Sequence, residues 1–364
     1  MKIADLIHHL ESIAPPAFQE SYDNAGLLTG QSSWECTGAL TTLDATEEVI
    51  MEAVSKKCNL VVAHHPIIFK GLRKINGKNY VEKAVIAAIK NDVAIYAIHT
   101  NLDNVLQGVS GKMAEMLGLQ NINILSLKEQ TLKKLFTFVP IESAEEVRKA
   151  IFDAGGGNIG KYSQCSFNMD GTGTFMAKEG ADPYIGEVGK PTSTKEMKIE
   201  VIFPTYLEGE VVQAMLDAHP YEEVAYDVVA LNNLYQYAGS GVIGELPEQM
   251  DETGFLTRLK EVFKLQAVRH TPLTNRPVKR VALCGGAGSF LITTALGAGA
   301  DVFITADVKY HEFFDANGRM VIADIGHFES EQFTIDLIHD ILLQKFPTFA
   351  VLKSGTKTNP VNYF

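Results

Sequence analysis

A single tryptophan and four cysteines serve a chain of 364 residues. The cysteines, Cys36, Cys58, Cys165 and Cys284, lie far apart and form no CxxC pair. That spacing supports neither a disulfide framework nor a thiolate zinc site. Positive charge is also scarce, since 32 Lys/Arg against 44 Asp/Glu leave a net charge of −12. Such a mean field opposes sequence-independent nucleic-acid binding and polybasic attachment to membranes. A long apolar run is missing too: Val281 to Ala300 is twenty residues without a charge, but five are glycine. Its hydropathy predicts a buried glycine-rich turn and helix rather than a membrane span. The first residues, MKIADLIHHLESIAPP, place acids and histidines where a secretory signal needs an apolar core. These features together point to the cytoplasm. What remains, with 46% hydrophobic and 21% charged residues, is the composition of an ordinary globular chain.

The first third alternates strand and helix. GALTTLDA, NLVVAHHPIIF and VAIYAIHT read as strands, separated by the helical patterns TEEVIMEAVSKK and KNYVEKAVIAAIKND. The last third repeats the rhythm through VKRVALCG, SFLITTALGAG, DVFITAD, KYHEFFDANG, MVIADIGH and a final helix from Ser330 to about Gln344. Runs of this length predict βαβ units and a parallel sheet. The middle carries a tandem repeat instead. KLFTFVP (Lys134–Pro140) matches KIEVIFP (Lys198–Pro204) at an offset of 64 residues, and EEVRKAIFDAG then matches GEVVQAMLDAH at the same offset. Each copy reads as strand, loop and helix with a further strand after it, which predicts a ferredoxin-like sheet. The expected architecture is α/β: a discontinuous outer domain, 1–127 plus 236–364, with a parallel-rich sheet flanked by helices, and an inserted domain at 128–235. Neither outer segment is expected to fold alone, each supplying part of one parallel sheet.

Several polar residues fall where strands end, the position at which open α/β sheets gather their ligand sites. His64 and His65 close NLVVA; His99 closes VAIYAI, with Asp103 four residues on; His327 closes MVIADIG, with Glu331 four residues on. Adjacent strand residues face opposite ways, so the His64 and His65 rings diverge and can serve two ions. His327 and Glu331 would share one face of a helical turn and clamp one ion, and Asp103 could bridge a pair. Imidazole and carboxylate without thiolate suit Zn, Fe, Mn or Co, and two such ions with open positions form a hydrolytic site. His8, His9, His219, His270 and His339 read as structural or surface residues. CGGAGSF, with Gly285, Gly286 and Gly288, reads either as an anion-binding turn or as a tight turn for close strand–helix packing. It lacks the lysine of a phosphate loop and the third glycine of a dinucleotide fingerprint. Asp23 lies near a turn. Asp44, ending a strand, reads better as a helix cap than as a site residue, and Cys284 is a weak nucleophile candidate.

SYDNAGLL, LDAT, AHHPIIF, HTNLD, LCGGAGS, TADVKYHEF and DIGHFESE run in order through both outer segments. In these stretches the chain resembles the NIF-three-like family, whose members carry the label GTP cyclohydrolase I type 2 homolog. The insert resembles a PII-like or CutA-like domain, most clearly in HPYEEVAYDVV (His219–Val229). The resemblance implies a dinuclear centre of two divalent transition-metal ions held by His64, His65, Asp103, His327 and Glu331. His99 and His311, with Asp44, would then stand beside the ligands or move protons. It also implies a homohexameric ring capped by the inserts. The activity it suggests is metal-dependent hydrolysis of a nucleotide-like or phosphorylated small molecule. The competing expectation is a non-enzymatic metal-binding or regulatory ring whose insert senses an effector or partner. Membrane association and nucleic-acid binding are not expected.

Overall fold

The computed structural model describes residues 1–364. The chain divides into two compact units, one formed by Met1–Leu127 with Tyr237–Phe364 and the other by Lys128–Gln236.

The discontinuous unit contains two sheets, where the sequence pattern suggested one. The first runs in the order Gly26–Thr29, Ala94–Ala97, Leu60–His65, Ala39–Asp44 and Val351–Lys353. Its inner pairs are parallel, and only the Gly26–Thr29 edge is antiparallel. The second runs Arg269–His270, Val321–Asp324, Val302–Ala306, Val278–Ala287, Gly239–Met250 and Gln120–Leu127. There the three middle strands are parallel and the outer ones antiparallel. Each sheet borrows an edge from the other chain segment: Val351 pairs beside Ala39, and Ile124 beside Val242. Apolar runs announce strands but carry no record of lateral neighbours, so two half-sheets and one whole sheet read alike. What joins the two segments is therefore an exchange of edge strands.

Local chemistry sets the elements around the site. Thr46 caps the helix Glu47–Ser55 through its hydroxyl, and Asn79 caps Tyr80–Lys90 by accepting the Glu82 amide at 2.9 Å. The buried strand Leu60–His65 is covered by Val49, Ile50 and Ala53 of the first helix and by Ala84, Val85 and Ala88 of the second. Val281–Ala300 forms the end of one strand, a 3₁₀ turn and the short helix Ile292–Gly297. No helix of the chain is long and apolar enough to cross a membrane. The helix expected from Ser330 is instead two, His327–Glu331 and Thr334–Lys345. The Ser330 hydroxyl donates to the His327 carbonyl and accepts the Gly286 amide, which ties the first turn to the neighbouring strand.

The second unit is ferredoxin-like. Its strands Leu132–Pro140, Phe167–Met176, Pro191–Pro204 and Tyr226–Leu231 form one antiparallel sheet in which the first and third occupy the centre. Phe136 pairs with Glu200, its own counterpart in the 64-residue repeat, so a local two-fold relates the copies. Leu135, Val139, Ile199, Val201 and Phe203 turn one face toward Val147, Ile151, Val211 and Met215 of the helices. The other face carries Phe136, Phe138, Glu196, Lys198 and Glu200, none of them packed by a helix.

Candidate metal centre

His64 and His65 end a central strand of the first sheet, Asp103 ends the turn Thr100–Asp103 beyond the neighbouring strand, and His327 and Glu331 lie one turn apart after Val321–Asp324. Gly326 makes that last turn possible, with φ of +92° at the helix start. Residues more than 260 positions apart thereby meet: His65 Nε2 lies 2.9 Å from Glu331 Oε2 and 3.3 Å from His327 Nε2.

Each ring is fixed by its Nδ1 atom. His64 donates from Nδ1 to the Ile98 carbonyl at 2.9 Å, His65 to Asp44 at 2.8 Å, and His327 to Asp307 at 2.7 Å. The carbonyl can only accept, so His64 keeps its proton on Nδ1 and turns a lone pair inward from Nε2. That lone pair faces Asp103 Oδ1 at 3.7 Å and Glu331 Oε1 at 3.8 Å. His64 Nε2 and Asp103 Oδ1 are both buried without a hydrogen-bond partner. Buried acceptors facing one another repel unless a cation stands between them. Donor atoms within 4.8 Å of one another form the groups His65/His327/Glu331, His64/Asp103/Glu331 and His64/His65/His99. These clusters are able to hold metal ions.

The electrostatics report the same demand for positive charge. Burial opposes a charged ring at His65, but the Asp44 and Glu331 carboxylates outweigh it and hold its pKa up at about 10. His327 is likewise raised to about 9, burial being outweighed by Glu331 and Asp307. Burial pushes His64 down. Burial and the nearby Glu331 charge push Asp103 well up, whereas the three histidines around Glu331 overcome its burial and hold it down.

Glu331, rather than Asp103, is the carboxylate common to two donor groups. Its position depends on Gly286, where a Cβ would stand 2.2 Å from Glu331 Oε1 and φ is +60°. This answers the alternative left open for CGGAGSF. The Gly285, Gly286 and Gly288 amides are taken by the hydroxyls of Ser110, Ser330 and Thr305, so none is left for an anion. The turn is built for close approach. Asp44 is not a helix cap, a task that Thr46 performs; it accepts from His65 and, at 2.6 Å, from Thr358. His99 belongs to the third donor group, with His64 and His65, and its Nδ1 donates to Asp23 at 2.7 Å. His311 does not join the cluster: it is exposed and packs against Tyr310 and Phe314. Cys284 is buried, and burial with the nearby Asp103 and Glu331 charges pushes its thiol up, which speaks against a nucleophilic role. Asp307 and Thr358 were not foreseen. Asp307 follows a strand end, as the chosen histidines do, but Thr358 lies in a C-terminal segment without periodicity.

The family model described as Duf34/NIF3 (NGG1p interacting factor 3) matches residues 1–360. A GTP cyclohydrolase 1 type 2 homolog of Halalkalibacterium halodurans is 38% identical over 371 residues, covering all of both chains. One of Bacillus subtilis is 36% identical over 364 residues, covering 98% of this chain and 97% of that one. The crystal structure of a Bacillus cereus protein related to NIF3 superposes with a TM-score of 0.88 at 37% identity, covering 100% of this chain and 99% of that one. With a match along nearly its whole length and relatives of this identity, the chain belongs to the Duf34/NIF3 family.

Proposed function

We propose that this protein is a two-metal hydrolase acting on a nucleotide-like or phosphorylated small molecule. The observation that supports it most is the sharing of Glu331 between the His65/His327 group and the His64/Asp103 group. Divalent Zn, Fe, Mn or Co suits such nitrogen and oxygen donors. A bound pair would supply Lewis acidity and a water ionised near neutral pH. The protein's part is to hold the donors. Asp44 and Asp307 fix the His65 and His327 rings and raise their basicity as ligands. His99 is the proton carrier in this reading: Asp23 orients its ring, which lies 5.3 and 5.4 Å from those of His64 and His65. The name shared by the relatives makes GTP the first substrate to try. A homohexameric ring, as the family resemblance implies, belongs to the same proposal and would appear as six times 39.8 kDa by light scattering.

The test is elemental analysis of the purified protein beside a His65→Ala, Glu331→Ala double variant, followed by turnover assays on GTP and other nucleotides. About two transition-metal ions per chain, largely lost in the variant, with metal-dependent turnover, is the expected result. No metal bound after reconstitution would sink the reading. Metal bound without any turnover would favour a regulatory role.

A further inference from the structure

The inserted unit holds a cavity of about 810 Å³ on the sheet face that the helices leave uncovered, within the range of small-molecule sites. Its floor is a strand with alternate glycines. Gly171 pairs with Glu196 and Gly173 with Thr194, on the cavity side. A Cβ at Gly173 would stand 2.1 Å from Glu196 Oε2, so the missing side chain is what lets this carboxylate lie across the sheet.

Glu196 is 8% exposed, and no lysine or arginine pairs with it. Its one hydrogen bond comes from the Tyr221 hydroxyl, at 2.8 Å. Burial and the Glu196 carboxylate both push that phenol up, so it remains a donor at neutral pH. Tyr221 is held by the buried His219, which accepts the Tyr221 amide at Nδ1 and donates from Nε2 to the Phe138 carbonyl at 3.0 Å. Around this acid stand aromatic faces. The Phe175 and Tyr184 ring centroids lie 6.3 and 6.2 Å from that of Tyr221, inclined by 58° and 53°. Asp170, Glu222 and Glu223 add negative charge to the lining. Of its two lysines, Lys198 is already paired with Glu200 at 2.8 Å, and Lys178 is exposed.

A buried carboxylate without a counter-ion is costly, and aromatic faces attract cations. We propose that this cavity binds a small organic cation, its ammonium group seated among Phe175, Tyr184 and Tyr221 with Glu196 as counter-ion. The site lies wholly within the inserted unit and does not depend on the metal-centre reading.

The test is calorimetric titration of the full-length, metal-loaded protein with choline, n-butylammonium and 3,3-dimethyl-1-butanol, the last being a neutral molecule of choline's shape. Both cations should bind, with the neutral isostere at least about tenfold weaker. Glu196→Gln should erase that difference while leaving metal content unchanged. Tyr184→Ala, at a position 55% exposed and so safe for folding, should weaken choline by about threefold or more. Equal binding of the neutral isostere, or no effect of Glu196→Gln, would overturn the proposal. So would the absence of binding by both cations.

Discussion

In the discontinuous unit, four imidazole rings are each anchored at Nδ1, and acceptors from both chain segments point at common centres. In the inserted unit, by contrast, one carboxylate meets one phenol on an open sheet face, and every residue involved lies within a contiguous stretch. The first arrangement suits a compact ion of high charge, because buried acceptors face one another around common centres. The second offers a broad aromatic wall with one buried carboxylate at its base, suited to a larger and weaker-charged ligand. The difference follows from where each site sits. Strand ends and the turns after them bring distant segments together, whereas the uncovered face of a four-stranded sheet presents only its own alternating residues.

The largest expected effect tests the independence of the two units. Phe203→Ala empties a fully buried position in the inserted core and should destabilise that unit by about 3–5 kcal/mol. Denaturant melts should then show an early transition while metal content stays at the wild-type level. Loss of metal along with that early transition would break the comparison.

An intermediate effect sharpens the description of the metal centre. Asp44→Asn removes the carboxylate that fixes His65 and should weaken metal binding about 10- to 100-fold, measured by competition with a chelator. Thr358→Val, one bond further out, should do the same to a lesser degree. Unchanged affinity in both would mean that the rings hold their orientation without these partners.

The smallest effect concerns the C-terminal segment that carries Thr358. Glu52 accepts from Ser354, Gly355 and Thr356 and pairs with Lys56, and these contacts outweigh its partial burial to hold its pKa down at about 2 instead of 4.5. A depressed carboxylate stabilises fully above its unfolded pKa and loses that contribution as pH falls toward the folded one. Hydrogen exchange at Gly355 and Thr356 should therefore accelerate as pH drops from about 4.5 toward 2, beyond the intrinsic pH dependence of exchange. Glu52→Gln should show the faster exchange already at neutral pH. Protection that does not change in either case would detach this segment from Glu52.

Much of this was legible in the sequence because it rests on short-range rules. The alternation of apolar runs and the 64-residue repeat both leave local traces. The histidines stood out because each ended a strand. Asp44 drew two readings, helix cap and neighbour of the ligands, since a carboxylate between a strand and a helix has the same local signature whether it caps the helix or orients a ring; the structure supports the second. The glycines of CGGAGSF were ambiguous for a similar reason, as a tight turn and an anion cradle need the same backbone freedom.

By itself, then, the sequence determined the α/β elements, the duplicated insert and the polar side chains that gather beyond the strand ends, all set by residue type and periodicity. Only the tertiary structure decided that the outer strands form two sheets with exchanged edges, and that Glu331 is the shared carboxylate. It alone placed Asp307 and Thr358 behind the rings and left Glu196 under an aromatic wall. Those outcomes depend on lateral strand pairing and on distances between residues far apart in the chain, which side-chain periodicity does not encode.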